Sequence, residues 1–262
     1  LDCVSASFPA TESRDYSDFG TTLARKSQPT MVELTRHQDA IGRLVEQLRS
    51  CRSLLFITGA GISAESGLPT YRGIGGLYDV DTTAEGLPIE VILSGDMLRT
   101  NPKLTWKYLL QIGEACRGAS YNRAHSVLAE MEQHFDRLLV VTQNVDGFHR
   151  HAGSTNLIDL HGDLHDLICT ECGSREHVGD DSRTIDIPPR CPQCQAMVRP
   201  DVVLFGEMLP TEKIDRFQDE LRAGFDIVFS VGTSAVFHYI SWPIELAKQS
   251  KIPPVEINPG TS

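Results

Sequence analysis

Residues 54–64 read Leu-Leu-Phe-Ile-Thr-Gly-Ala-Gly-Ile-Ser-Ala. The run 54–58 at its start, apolar up to Thr58, predicts a buried strand. The Gly-x-Gly-x-x-Ala pattern that follows it is typical of a turn that binds a dinucleotide. The glycines let a pyrophosphate approach the backbone N–H groups, and the next helix presents its positive end. By itself the motif is weak, because any tight turn between a strand and a helix can contain such glycines.

Further apolar runs along the chain are separated by segments in which apolar residues have helical spacing. The predicted strands are residues 54–58, 138–141, 157–160, 202–205, 226–231 and 255–258, and the predicted helices are about 36–50, several within 87–135, 211–223 and 239–249. Strands that alternate with helices are typical of a parallel sheet with helices on its faces. The pattern therefore predicts an α/β fold with a doubly wound parallel sheet that is Rossmann-like.

Two of these strands end in polar side chains. Residues 138–141 run into Thr142-Gln143-Asn144-Val145-Asp146, and residues 157–160 run into His161-Gly162. Ligands bind at the carboxyl ends of the strands in an open α/β sheet, so we expect an amide, a carboxylate and an imidazole on one rim. Each residue alone is better explained as a turn former or a loop cap. Together they predict a polar binding site at this edge.

A dehydrogenase of this fold has an acidic residue about 20 positions after the glycine turn, at the end of a second strand, where it binds a ribose. Here residues 73–81 are rich in glycine, and their aspartates read as solvated loop residues. A dehydrogenase is therefore disfavoured. Residues 69–86 instead predict a mobile loop that carries Tyr71 and Arg72 beside the glycine turn and closes over a cofactor.

Two Cys-x-x-Cys pairs, Cys169 with Cys172 and Cys191 with Cys194, are separated by eighteen residues. This spacing predicts a zinc ribbon in which four thiolates hold one structural Zn²⁺. Two disulfides or a redox pair are the alternatives. The three other cysteines form no such pattern, which suits a reducing compartment. We expect a small zinc-binding module over residues 165–200, inserted in the main domain.

The chain has 262 residues and a net charge of −11. This length accommodates one large domain and a small one. The phosphate backbone would repel so acidic a protein, which disfavours a non-specific nucleic-acid binder. A zinc-ribbon module that binds nucleic acid is disfavoured because no basic, aromatic-rich patch surrounds the cysteine pairs. An acidic surface suits a basic partner such as a lysine-rich tail.

The main domain is expected over residues 31–164 and 201–262. Residues 1–30 are polar, contain acidic residues and lack the apolar core of a signal peptide. We therefore interpret them as a disordered leader or an upstream extension. No apolar run approaches the ~20 residues of a membrane helix. We expect no membrane association and a cytoplasmic location.

Several stretches of the sequence together match one family. They are Gly59–Ser63, Gly67–Arg72, Thr142–Asp146 with His149 and Ala152–Gly153, His161–Gly162, the two Cys-x-x-Cys pairs, Val202–Glu207, Gly232–Ser234 and Ile257–Asn258. In this order they resemble the sirtuin family, and the chain is similar to a bacterial sirtuin, an NAD-dependent protein-lysine deacylase. The resemblance covers about residues 36–262.

The resemblance implies a role for each matching residue. The residues implied to bind NAD are Gly59, Ala60, Gly61 and Ser63 at the pyrophosphate, Tyr71 and Arg72 on the cofactor loop, Gln143, Asn144, Val145 and Asp146 around the nicotinamide and its ribose, and Gly232, Thr233, Ser234 and Asn258 at the adenosine half. The implied catalytic residues are His161, as the general base, and Asn144. Val203, Phe205 and Gly206 would line the acyl-lysine tunnel and pair with the peptide backbone by strand addition.

The implied reaction consumes NAD. The acyl oxygen attacks the ribose carbon as nicotinamide leaves, and His161 then deprotonates a ribose hydroxyl that attacks the resulting imidate. The products are free lysine, nicotinamide and O-acyl-ADP-ribose, with acetyl as the expected acyl group. The implied partners are acyl-lysine proteins or peptides, and the expected state is a monomer. A protein mono-ADP-ribosyltransferase that uses the same NAD site is the alternative.

Three features of the sequence depart from the family pattern or refine what it implies. After Gly232–Ser234 many relatives have a proline, whereas this chain has Val236–Tyr239, which leaves the peptide preference open. The sequence stops at Ser262, where relatives continue, so we expect a truncated C-terminus and an incomplete adenine pocket. Leu109 and Ile112 align with the Tyr and Arg with which succinyl-preferring sirtuins pair an acyl carboxylate. We therefore expect acetyl-lysine or a longer fatty acyl-lysine to be preferred over succinyl-lysine.

Overall fold

A computed structural model describes residues 31–68, 83–178, 186–233 and 237–258, without the side chains of residues 31–37 and 115. The chain divides into two units, Leu1–Arg49 and Ser50–Ser262. In the first unit the structure describes helix α1, Met31–Leu48, at the position where a helix is predicted. The predicted leader and residues 69–82 of the predicted cofactor loop lie outside the described residues.

The second unit contains a five-stranded sheet in which every strand pairing is parallel. Its strands are β1 (Ser53–Thr58), β2 (Arg137–Thr142), β3 (Leu157–Asp159), β7 (Ile227–Val231) and β8 (Pro254–Ile257), in the order β3-β2-β1-β7-β8. The first strand lies in the centre, and the chain builds the sheet outward on both sides of it. The predicted doubly wound parallel sheet is thereby confirmed. The three central strands are buried, as their continuous apolar runs predict.

Seven α-helices accompany the strands in the described part of this unit. They are α2 (Ile89–Ile92), α3 (Gly95–Thr100), α4 (Pro102–Cys116), α5 (Arg123–Met131), α6 (Phe148–His151), α7 (Thr211–Ala223) and α8 (His238–Gln249). Local sequence explains where they begin. Asn101 caps α4 by accepting from the Leu104 N–H, and Pro102 follows it at a position where no N–H is needed. Among the described helices, none is long and apolar enough to cross a membrane.

A second sheet is small and antiparallel. It consists of β4 (Gly162–Cys169), β5 (Arg175–His177) and β6 (Val198–Val202), in the order β5-β4-β6. The prediction of a core strand over residues 202–205 is wrong, because β6 ends at Val202 and pairs with β4. Phe205 forms only a single bridge, with Ser94. The apolar run is buried as a loop against the cluster formed by α2–α4 and the small sheet. The bounds 165–200 of the zinc module stay a prediction.

Candidate functional site

Three neighbouring strands of the parallel sheet end level with one another. Thr58 at the end of β1 lies opposite Thr142 of β2 and opposite Val231 of β7. The loops that follow these three residues therefore leave the sheet at the same edge. This edge is the place where ligands bind in open α/β sheets.

The glycines of the first loop pack against the backbone of the loop after β7. The Gly61 N–H donates to Gly232 O at 2.8 Å. A Cβ on Gly61 would lie 2.6 Å from Gly232 Cα, and a Cβ on Gly59 would lie 2.8 Å from Gly232 O. Gly59 has an extended backbone with φ −131°. Close approach, and not an unusual dihedral angle, therefore excludes a side chain there.

The segment after the glycine turn differs from its prediction. Residues Ala60–Ser66 form a 3-10 helix and not the α-helix that the motif predicts. Gly67 caps its C-terminus with φ 84°. A short 3-10 helix has poorer hydrogen-bond geometry than an α-helix. Its dipole therefore attracts an anion less than the motif suggests. The site depends correspondingly more on individual side chains and backbone N–H groups.

Ser63 and Asn144 join the first loop to the loop after β2. Asp146 Oδ2 accepts from Ser63 Oγ at 2.7 Å, and Asn144 Nδ2 donates to Ser63 Oγ and to Gly59 O, each at 3.1 Å. The Phe148 N–H donates to Asp146 Oδ1 at 3.0 Å. The Ser63 hydroxyl and the Phe148 N–H thus fix the buried Asp146 carboxylate. The side-chain amide of Asn144 holds the two loops together.

The third loop joins the same network. Gln143 Nε2 donates to Thr233 Oγ1 at 2.9 Å, and Asn258 Nδ2 lies 3.3 Å from Thr233 O. The structure therefore brings together nine predicted residues: Gly59, Gly61, Ser63, Gln143, Asn144, Asp146, Gly232, Thr233 and Asn258. Ala60 lies in the first loop beside them. The side chain of Val145 packs on the apolar cluster of α2–α4.

His161 follows β3 and lies beside this network. Its Nδ1 is 2.8 Å from Gln143 O, and its Nε2 is 2.7 Å from the Tyr239 hydroxyl. A carbonyl oxygen only accepts, so Nδ1 carries a proton and Nε2 of the neutral ring accepts from Tyr239. Burial lowers the pKa of His161, and Lys213 adds to this effect against the opposing hydrogen bond to Gln143 O. The imidazole is therefore neutral near pH 7, with one lone pair at Nε2.

Two buried histidines lie behind Ser63. His125 Nε2 is 3.5 Å from Ser63 Oγ, and the ring centroids of His125 and His149 are 4.8 Å apart. His149 Nε2 lies 2.9 Å from Thr58 Oγ1. Burial, and then repulsion from the charge that a protonated His125 would carry, lower the pKa of His149 to about 3. Burial also lowers the pKa of His125, against the attraction of Asp146. Both rings are neutral and support the loops from within.

The residues predicted to line the acyl-lysine tunnel begin beside His161. The Val203 N–H donates to His161 O at 2.9 Å. The Phe205 N–H donates to Leu93 O at 2.9 Å, and the Gly95 N–H donates to Phe205 O at 3.0 Å. Both backbone groups of Phe205 are thus already hydrogen-bonded within the chain, and its part in strand addition by a peptide stays a prediction. Gly206 follows with φ +78°, a turn conformation that side chains disfavour.

The four cysteines of the two pairs meet, with all their sulfurs within 4.8 Å of one another. Cys169 Sγ is 3.4 Å from Cys194 Sγ, and Cys172 Sγ is 3.6 Å from Cys191 Sγ. A disulfide would require about 2.05 Å. A tetrahedral ion with sulfurs at about 2.3 Å holds them about 3.8 Å apart. The cluster therefore fits a zinc ion, and four protein ligands leave no open position, as in a structural site.

Three predicted NAD-binding residues, Tyr71, Arg72 and Ser234, lie outside the described residues. Their contacts with a cofactor therefore stay predictions.

Tyr239 is a site residue that the sequence did not indicate. Residues 236–239 were notable only as a departure from the family pattern. Helix α8 begins at His238, so Tyr239 lies in its first turn, where its hydroxyl reaches His161. The only signal in the sequence is a phenol in the first turn of a helix that follows a strand-end loop.

Comparison with known proteins gives one family. The model of the Sir2 family matches residues 59–238. NAD-dependent protein deacylase 2 of Pseudomonas aeruginosa is 49% identical over 224 residues, which cover 85% of this chain and 87% of that protein. A solved Sir2 homologue–NAD complex is similar with a TM-score of 0.74 at 35% identity, over 84% of this chain and 83% of that one. A solved Sir2–p53 peptide–NAD+ complex is similar with a TM-score of 0.70 at 27% identity, over 85% of this chain and 88% of that one.

The family match spans the glycine turn, the loop of Gln143 and Asn144, His161 and the four cysteines, and it ends at residue 238. It thus contains most of the residues that the structure gathers at the carboxyl edge of the sheet. The chain belongs to the Sir2, or sirtuin, family.

Proposed function

We propose that this protein is an NAD-dependent protein-lysine deacylase that releases free lysine, nicotinamide and O-acyl-ADP-ribose. The observation that carries the proposal is the meeting of the glycine turn, the Gln143–Asn144 loop and His161 at one edge of the parallel sheet. A polar amide network with a neutral imidazole beside it suits a dinucleotide and a proton transfer. The relative from Pseudomonas aeruginosa carries the name NAD-dependent protein deacylase, which supports the same reading.

NAD, when bound, supplies the ribose carbon that takes up the acyl oxygen while nicotinamide leaves. The close backbone packing of Gly61 on Gly232 leaves a surface without side chains, which suits the pyrophosphate. Asn144 and Asp146 are held by the first loop and would line the nicotinamide pocket. Thr233, together with Asn258, would contact the adenosine half.

His161 would act as the general base. Its Nδ1–H is held by Gln143 O, so Nε2 offers the only lone pair that can take a proton. Because burial lowers the pKa of His161, the ring is neutral at the pH at which it must accept this proton. The four cysteines would hold one structural Zn²⁺ remote from this proton transfer.

The acyl-lysine partner would be a protein or a peptide, bound by a monomer. Val203 lies next to His161 through a backbone hydrogen bond, which suits a lysine tunnel that ends at the base. The net charge of −11 would attract the basic residues that often surround lysines. A relative with a similar fold has been solved with both a peptide and NAD+.

The proposal is tested by mass spectrometry of the products from NAD and a panel of acyl-lysine peptides. We expect the peptide to lose the acyl mass while nicotinamide and O-acyl-ADP-ribose appear in equal amounts. NAD labelled in its adenine ring separates the alternative activity, because a mono-ADP-ribosyltransferase would leave the label on protein. Label on protein without an acylated product would reject the deacylase.

A further inference from the structure

The lone pair of His161 is already engaged in this structure. Its Nδ1–H donates to Gln143 O, and its Nε2 lies 2.7 Å from the Tyr239 hydroxyl. A neutral imidazole has one lone pair, here at Nε2, and that lone pair accepts from Tyr239. A hydroxyl of a bound ligand cannot give its proton directly to Nε2 while Tyr239 occupies it.

The packing of Tyr239 holds its hydroxyl in this position. Its ring stacks on Phe237, with centroids 5.5 Å apart and planes 15° apart. It also packs against the core cluster that includes the fully buried Ile240. Rotation of the ring away from His161 would give up both contacts. Tyr239 is nevertheless only partly buried, and a relay requires a ligand hydroxyl to reach its oxygen from the side opposite the imidazole.

The order of donors and acceptors is that of a proton relay. The Tyr239 oxygen donates its own proton to Nε2 and keeps a lone pair that can accept from another hydroxyl. We propose that Tyr239 relays the proton from the ribose hydroxyl of the bound dinucleotide to Nε2 of His161. This inference rests on the proposed deacylase function and assigns a catalytic residue to it. Chains of such hydrogen bonds polarise one another, which favours transfer.

The relay balances as a single concerted step. The ribose O–H bond breaks and its proton goes to the Tyr239 oxygen, while the Tyr239 O–H bond breaks and its proton goes to Nε2. The ribose oxygen keeps the electron pair for its bond to the acyl carbon, and the C=N π bond of the imidate breaks as its electron pair moves to the lysine nitrogen. Tyr239 is a neutral phenol before and after the step, and His161 becomes an imidazolium. Burial raises the pKa of Tyr239 to about 12, which agrees with a phenol that never exists as a free phenolate.

The test compares wild-type protein with Tyr239→Phe, which keeps the ring and its stacking on Phe237 but removes the hydroxyl. In single turnovers with NAD and an acetyl-lysine peptide, we expect deacylation to slow by roughly 10²-fold, the contribution of one positioned proton donor or acceptor. Exchange of labelled nicotinamide into NAD precedes the proton transfer and should persist. Tyr121→Phe, which removes a phenol that is 43% exposed, is the matched control and should keep the wild-type rate.

Two further measurements distinguish a relay from mere support. A proton inventory in mixtures of H₂O and D₂O should be curved for wild type, because two protons move, and straight for Tyr239→Phe. In ligand-free protein, the ¹⁵N resonance of Nε2 should move in Tyr239→Phe while Nδ1 keeps its proton. If the wild type is active and Tyr239→Phe deacylates at the same rate, the relay is overturned. A wild type that makes no acyl-ADP-ribose would instead overturn the proposed function.

Discussion

At the scale of single residues, His161 is the side chain on which the proposed chemistry depends. We expect His161→Ala to lower deacylation by about 10²–10⁴-fold, since one positioned base contributes this much. Folding and most of the NAD affinity should remain, because the glycine turn and the Asn144 network do not require the imidazole. Turnover and calorimetric titration with NAD measure the two effects. His151→Ala removes an exposed imidazole and serves as the control, and near-normal turnover in His161→Ala would remove that residue from the mechanism.

The pH dependence of activity follows from the environment of His161. Burial lowers the pKa of its ring, and the ring is active only when it is neutral. Activity is therefore retained below the pH of ~6.5 at which an ordinary imidazole titrates, and is lost as the pH falls through the lowered pKa. A pH profile of kcat/KM should place its acidic limb below that value. An acidic limb above it would mean that another group, or a charged partner, controls the base.

The residues around Leu109 are the basis for a prediction about the preferred acyl group. Leu109 is buried in an apolar cluster against which Ile112 packs, so neither side chain can pair with an acyl carboxylate. The Tyr108 hydroxyl donates to the Glu85 carboxylate, and Lys107 Nζ lies 2.6 Å from Glu85 Oε1. Glu85 thus partly neutralises the nearby cation and donor, and its own charge disfavours a second carboxylate.

We therefore expect acetyl-lysine or a fatty acyl-lysine to give a higher kcat/KM than succinyl-lysine on the same peptide. An unpaired carboxylate would be costly to remove from water. The measurement needs one peptide sequence that bears each acyl group in turn. A clear preference for the succinyl peptide would show that a cation outside this cluster reaches the acyl chain.

At the scale of elements, periodicity in the sequence was sufficient for most of the fold. The run 138–141 predicted β2, and α7 begins and ends at the predicted residues. The run 202–205 was mistaken for a strand because four apolar residues look the same whether they join a sheet or fill a cluster. Which of the two occurs depends on distant residues, here the helices α2–α4. The local sequence pattern of the run contains no information about which distant element it packs against.

The contact between the first and third loops yields a prediction of its own. A Cβ on Gly61 would lie 2.6 Å from Gly232 Cα, so Gly61→Ala must push two backbones apart. We expect a loss of about 1–3 kcal/mol in unfolding free energy, as overpacking typically costs, together with weaker NAD binding. Gly113→Ala is the control. Gly113 lies in α4 with nothing within 4 Å of its added Cβ, and alanine there should stabilise by about 0.5–1 kcal/mol.

Denaturant melts and NAD titrations of the two variants measure these changes. If Gly61→Ala kept both the stability and the NAD affinity of the wild type, the packing of the two loops would not define the pyrophosphate site.

At the scale of the whole molecule, the site depends on which strand ends are neighbours. The sequence placed polar residues after two strands, and the family resemblance supplied their roles. The strand order that puts Thr58 between Thr142 and Val231 comes from long-range pairing and could not be read locally. The bond from Tyr239 to His161 has the same origin, since it joins residues 78 positions apart.

The small sheet is connected to the proposed base through two of its strands, both at the same end of the sheet. Strand β4 begins directly after His161, β6 ends directly before Val203, and the two strands pair at Gly162 and Val202. The loop after β6 is held by Glu207. Its carboxylate binds the Arg199 guanidinium at 2.6 and 2.9 Å and accepts from the Leu204 N–H at 2.9 Å. A change in the cysteine cluster at the far end of these strands can therefore reach His161 and the loop after β6.

This connection predicts the effect of metal loss. We expect Cys194→Ser to lose zinc, to lower the melting temperature and to reduce deacylation, because β4 and β6 would no longer hold His161 and Val203 in place. The shape of the pH–rate profile should not change, since the ion does not take part in the proton transfer. Cys116→Ser, outside the cluster, should keep its metal and its activity.

Elemental analysis, thermal melts and kcat/KM across pH are to be measured on the same protein samples. Strand β1 pairs with β2 and with β7, and none of the three pairs with the small sheet, so the parallel sheet should stay folded without metal. The circular dichroism of its helices should therefore largely persist in Cys194→Ser. A metal-free protein with wild-type melting temperature and activity would contradict the structural role. A shifted acidic limb in the pH profile would instead place the ion's charge within reach of His161.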